Sequence, residues 1–110
     1  LNFKKFIIDK QLAQTHVLEP LSKAGFNVRL IGSVATKGQS TKDIDILLTL
    51  PKYPQSETEF KRFEQTMEQL GWVYRHTDEN EDNPEWGIFH NYEKGIDDQL
   101  LGLDVFVEEK

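Results

Sequence analysis

The sequence predicts an α/β (α+β) fold, with five strands and a few helices in one domain spanning residues 1–110. Three observations lead there. Short apolar runs, Asn27 to Ile31 and Asp43 to Leu50, are interleaved with stretches of helical period. A succession of strands closes the chain. A length of 110 residues suits one domain with one modest core.

The first helical stretch carries Phe3, Phe6, Ile7, Val17, Leu18, Leu21 and Ala24 on one rough stripe. Asn2 can cap it, Gly25 can end it, and Pro20 should kink or split it. Asn27 to Ile31 reads as a strand and Ser33 to Lys37 as a short helix, with a loop over Gly38 to Thr41. Asp43 to Leu50 reads as the second strand, stopped by Pro51 and Pro54. Ser56 and Glu59 have the spacing of a capping box. The helix after them places Phe60, Phe63, Met67 and Leu70 on one face and stops at Gly71. Trp72 to His76 reads as a third strand, Thr77 to Glu85 as a polar loop, and Trp86 to Tyr92 as a fourth strand. Lys94 to Asp98 reads as a turn into a fifth strand, Leu100 to Val107, so the last two strands form a hairpin.

Composition narrows the function. The net charge is −6, and residues 57–85 alone hold nine acids against three bases, which reads as a solvated helix face and loop. Nucleic-acid binding is mostly phosphate neutralisation by Lys and Arg, so a nucleic-acid partner is not expected. The chain has no cysteine, which excludes disulfides and thiolate metal sites. No apolar run approaches a membrane span, and no basic segment precedes an apolar one, so the expectation is a cytoplasmic protein with no membrane partner.

Chemistry is carried by carboxylates in apolar strands. Strand side chains alternate, so Asp43 and Asp45 share one face while Ile44 and Ile46 take the other. Two neighbouring anions repel, and burying them without partners is costly. Asp104 is the one acid inside the apolar run Leu100 to Val107. If its strand lies beside the Asp-x-Asp strand, three carboxylates converge. Such a set can hold two Mg2+ ions, or Mn2+, about 4 Å apart, clamping a triphosphate and activating an attacking hydroxyl. Gly32 and Ser33, eleven and ten residues before Asp43, supply a turn where backbone can approach a phosphate and a hydroxyl donor. Lys37 and Lys42 lie in the same connection and can neutralise phosphate charge. His16, His76 and His90 suit surface, capping or structural places, and Trp86 beside the acidic loop has the means to stack on a base.

Leu30-Ile31-Gly32-Ser33, a nine-residue spacer and Asp43-Ile44-Asp45-Ile46 together resemble the signature of the nucleotidyltransferase superfamily that includes DNA polymerase beta. The resemblance is strong over residues 30–46 and extends to Asp104 as the third acid on a later strand. It implies the small nucleotidyltransferase fold, a mixed five-stranded sheet with helices packed on it. It implies Mg-dependent transfer of a nucleoside monophosphate from an NTP, with ATP expected, to a hydroxyl of a protein or small molecule. Asp43, Asp45 and Asp104 would be catalytic and metal-binding; Gly32, Ser33, Lys37 and Lys42 would bind nucleotide. Many small members carry Ala-Arg-Gly after the Gly-Ser and a Ser before the first Asp. Here Ala35-Thr36-Lys37-Gly38 and Lys42 stand in those places. Minimal members work beside a separate helical protein, some as antitoxins that modify a toxin, so a protein partner or self-association is expected to supply the acceptor side. A non-catalytic nucleotide- or protein-binding domain of the same fold is the alternative.

Overall fold

The structure, a computed structural model, describes residues 7–40 and 42–110. Two-residue β1 (Ile8–Asp9) pairs antiparallel with β3 (Gln39–Ser40), where the sequence suggested helix and loop. Asp9 sets the boundary. Its Oδ1 accepts a hydrogen bond from Leu12 N at 2.8 Å, so the helix starts at Lys10. The expected cap Asn2, with Phe3 and Phe6, lies outside the described residues.

α1 (Lys10–Ala13), a π-helical turn (Gln14–Leu18) and α2 (Glu19–Lys23) follow without a break. Pro20 stands in the first turn of α2. It has no N–H to give and its ring crowds the carbonyl four residues back. The helix widens in the turn just ahead of it instead of splitting. Ala13, Val17 and Leu21, four residues apart, are the buried positions.

β2 (Asn27–Ile31) leads directly into α3 (Gly32–Lys37). After β3 come β4 (Ile44–Leu50) and α4 (Gln55–Gln69). The capping box is not formed. α4 starts at Gln55 with Pro54 as cap residue and no side-chain cap bond, and Ser56 is buried. Pro54 has no N–H to leave unsatisfied at a helix start, and its carbonyl already accepts from Glu57 N at 3.2 Å. Glu59 pairs with Arg62 at 3.0 Å rather than reaching back. Phe63 and Met67 are fully buried, Phe60 and Leu70 pack at the margin of the core, and Gly71 follows the helix with φ 90°.

The remaining strands are longer than the sequence suggested: β5 (Val73–Glu79), β6 (Ile88–Ile96) and β7 (Gln99–Glu109). Thr77 to Glu79 complete β5 instead of opening a loop, because they pair with Ile88 to His90. Trp86 belongs to a short 3-10 turn, Pro84–Trp86, before β6. Lys94 to Ile96 continue the ladder, so the turn shrinks to Asp97-Asp98, both at positive φ. Two successive left-handed residues match the twist of a two-residue hairpin.

Strand order is β2-β4-β7-β6-β5. β4 and β7 are parallel and the other three pairs antiparallel, so the sheet is mixed. Ile44, Ile46, Leu48 and Leu50 of β4 and Leu101, Leu103 and Val105 of β7 are buried in one core with Ala13, Val17, Leu21, Phe63 and Met67. All helices of that core therefore cover one face of the sheet. The other face of β7 stays half-exposed at Gly102 and Asp104. Phe106 on that face is sheltered by Trp86 and Phe89, with ring centroids 5.4 and 5.7 Å away. No helix among the described residues is long and apolar enough to cross a membrane.

Candidate functional site

The uncovered face carries the acids. Parallel pairing sets Asp45 of β4 opposite Asp104 of β7, and Asp43 lies just before β4 on the same side. Their carboxyl groups are close enough for the charge of one to act on another, Asp104 on Asp45 and Asp43 on both. The three acids line one cleft of about 200 Å3 together with Gly32, Ser33 and Lys42. Six of the seven residues singled out from the sequence thus meet in one place. Lys37 does not join them. It sits in the last turn of α3 and lines a neighbouring cleft of about 410 Å3, which shares Ser33, Ser40 and Lys42 with the first.

Two glycines make room for the acids. Gly32 has φ 72°, a conformation costly for any residue with a Cβ, and a Cβ there would run into the carboxylate of Asp45. On β7, a Cβ at Gly102 would overlap the carboxylate of Asp43. Gly32 is therefore required by Asp45 irrespective of any phosphate. Gly102, two residues before Asp104 on the same face, had no assigned role in the sequence.

Crowding moves the acids' titration. Burial, then the charges of Asp104 and Asp43, pushes Asp45 up to about 7, with Lys42 partly offsetting. Burial also raises Asp104 to about 6, against a hydrogen bond from Asn91. Asp43 is raised as well, by burial first, while hydrogen bonds from Asp104 and Asn91 oppose the rise. At neutral pH the cleft holds more carboxylates than it can comfortably keep ionised.

The donor set fits a hard divalent cation, which takes oxygen ligands and whose charge offsets the repulsion among carboxylates. The oxygens are not gathered in advance around one point: among the described residues no group of three His, Cys, Asp or Glu side chains is arranged to hold an ion. The carboxyls face one another and Asn91 instead.

Besides Gly102, three contributors escaped sequence reasoning. Asn91 is buried, and its Nδ2 donates to Asp104 Oδ1 at 2.7 Å and to Asp43 Oδ2 at 3.2 Å. Once β6 is paired with β7, Asn91 falls opposite Asp104, so strand alternation carried the signal. The segment from Asn80 to Trp86 forms the far wall, with Asn80, Asp82, Asn83 and Trp86 lining the cleft. Asn80 Oδ1 accepts from Asn83 N at 2.8 Å and Trp86 packs against Phe106, which hold this wall in shape. His76 of β5, opposite Asn91, is near enough for its charge to favour ionised Asp43 and Asp104. His90 points away from the acids. Its ring lies 4.9 Å from that of Phe60 on the helix-covered side, with Nδ1 2.8 Å from Thr77 Oγ1, and burial lowers its basicity.

No protein-family model matches the chain, and no curated protein matches it in sequence.

Proposed function

We propose that the chain is a minimal nucleotidyltransferase that moves a nucleoside monophosphate from an NTP, ATP first among them, to a hydroxyl of a protein or small molecule. One observation carries the reading: Gly32, Ser33 and Lys42 share a cleft with Asp43, Asp45 and Asp104. The three acids would hold Mg2+, or Mn2+ in its place. When bound, the ions neutralise triphosphate charge and make the hydroxyl a better nucleophile. Gly32 and Ser33 bind the triphosphate, and Lys42, with Lys37 from the adjoining cleft, supplies counter-charge. The acceptor oxygen bonds to the α-phosphorus, the bond from that phosphorus to its bridging oxygen breaks, and pyrophosphate leaves. Asp104, opposite Asp45 in the same cleft, is placed to take the hydroxyl proton.

The acceptor side is the open part of this reading. Positioning supplies much of the rate in such transfers, so a partner protein, or a second copy, presents the hydroxyl over the uncovered face. A toxin modified by its antitoxin is one such arrangement. Incubation with each NTP and Mg2+, with and without the product of the neighbouring gene, followed by intact-mass measurement, tests it. The reading expects a gain of one nucleoside monophosphate on the acceptor; no gain with any NTP or acceptor contradicts it.

The alternative is a non-catalytic domain that binds nucleotide or a protein partner. What favours it is that Asp43 and Asp104 already share a hydrogen-bond partner in Asn91. Nucleotide binding without pyrophosphate release would select it.

A further inference from the structure

Asn91 is a neutral residue buried among acids. It is 6 % exposed, one of two buried polar residues of the described chain, and it lies on the uncovered face where its neighbours are half-buried. An asparagine side chain has one end that donates and one that accepts. Only the amide end can face two carboxylates, and here the same Nδ2 reaches both: Asp104 Oδ1 at 2.7 Å and Asp43 Oδ2 at 3.2 Å. Its two hydrogens match two acceptors. One acceptor stands opposite Asn91 on β7, and the other arrives from the segment before β4, 48 residues away in sequence.

Fixing these carboxylates takes more than Asn91. Gly102 leaves the volume that Asp43 occupies, and Gly32 leaves that of Asp45. Asp45 is held by its place in β4, opposite Asp104. Asp43 has no ladder partner of its own, since β4 begins at Ile44. The Asn91 amide ties it to the strand that carries Asp104.

The choice of a neutral donor matters. A lysine or arginine here would satisfy the same oxygens with a full positive charge, which would compete with a metal ion for the site. An amide orients the carboxylates and leaves their negative charge available. Hydrogen-bond partners of ligating carboxylates commonly control metal affinity in this way.

We propose that Asn91 is a positioning residue that holds Asp43 and Asp104 ready for a divalent cation. This rests on the metal-dependent reading above. It predicts an effect on metal affinity that is separate from any effect on folding. Asn91→Leu removes both hydrogen bonds without adding charge. Asn91→Ser keeps one short donor and is the gentler change should the leucine variant fail to fold.

The test is Mn2+ titration of the full chain, followed by the loss of the free-ion paramagnetic resonance signal, with circular dichroism and melting recorded on the metal-free proteins. Wild type binds and Asp45→Asn does not. Asn91→Leu binds about 10–100-fold more weakly, and Asn91→Ser falls between. A purely structural role would lower the melting temperature and leave the affinity of the folded protein unchanged. If wild type binds and a folded Asn91 variant binds within about twofold of it, the assignment of Asn91 is wrong while the metal site stands. If wild type does not bind, the metal-dependent reading falls and this inference with it.

Discussion

Asp45 and Asp104 stand directly opposite one another across the parallel β4–β7 pair, two half-buried carboxylates on the uncovered face. Like charges in that relation destabilise a sheet when both are ionised. The unfolded chain releases the Asp45 proton near 3.8, whereas the folded chain keeps it up to about 7. Between those values the folded state binds more protons, so its stability falls as pH rises. Metal-free protein should therefore lose stability between about pH 4 and pH 7 and level off above. Asp45→Asn should be neutral at the low end of that window. At about pH 8 it should be more stable than wild type by on the order of 1 kcal/mol, after allowance for solvent screening of a partly exposed group. Urea unfolding in the presence of a chelator measures this. A variant less stable than wild type at the high end would show that the carboxylates do not repel as described.

Gly102→Ala tests the packing of the site from the side of β7. Its Cβ would overlap the Asp43 carboxylate, so Asp43 must move. Because the strand's backbone remains acceptable to alanine, the cost in stability should be modest, about 1–3 kcal/mol. Nucleotide transfer and Mn2+ binding should fall far more than stability does. Denaturant melts and metal titration on one preparation separate the two. Unchanged metal affinity would mean that the position of Asp43 is immaterial.

The Asp97-Asp98 turn places two charged residues at φ 49° and 64°, where asparagine and glycine are easier. Replacing the pair by Asn-Gly should raise stability by about 0.4–1 kcal/mol and leave the cleft untouched, since the turn lies at the opposite end of β7 from Phe106. A shift in urea midpoint at constant slope checks it. A loss of stability would show that the aspartates make contacts the turn depends on.

Much of the fold was legible because it rests on periodicity. Alternation in Ile44 to Leu50 reads out the buried face of β4, and the Phe63 and Met67 stripe reads out the face of α4. Boundaries were less legible where tertiary pairing overrides local signals. Thr77 to Glu79 are polar yet extend β5, because Ile88 to His90 lie alongside. The Ser56–Glu59 box lost to Pro54, which starts the helix two residues earlier than that box allows. Asp43, Asp45, Asp104, Gly32, Ser33 and Lys42 were readable since each breaks an apolar pattern or sits at a turn between strands. Asn91 and Gly102 were not, since an asparagine and a glycine in a strand have no meaning until register sets them against Asp104 and Asp43. The Asn80 to Trp86 wall was hidden for a similar reason: a polar loop does not disclose in sequence which face it folds over.

The most direct measurement of the central claim is pyrophosphate release from NTPs in the presence of Mg2+ by wild type and by Asp43→Asn, Asp45→Asn and Asp104→Asn, with the candidate acceptor protein present. The account predicts release by wild type, its loss on chelation, and a fall of roughly a thousandfold or more in each variant, the several kcal/mol that a metal-held transition state is worth. Folded variants that release pyrophosphate at the wild-type rate would contradict it, as would a wild type that releases none with any NTP.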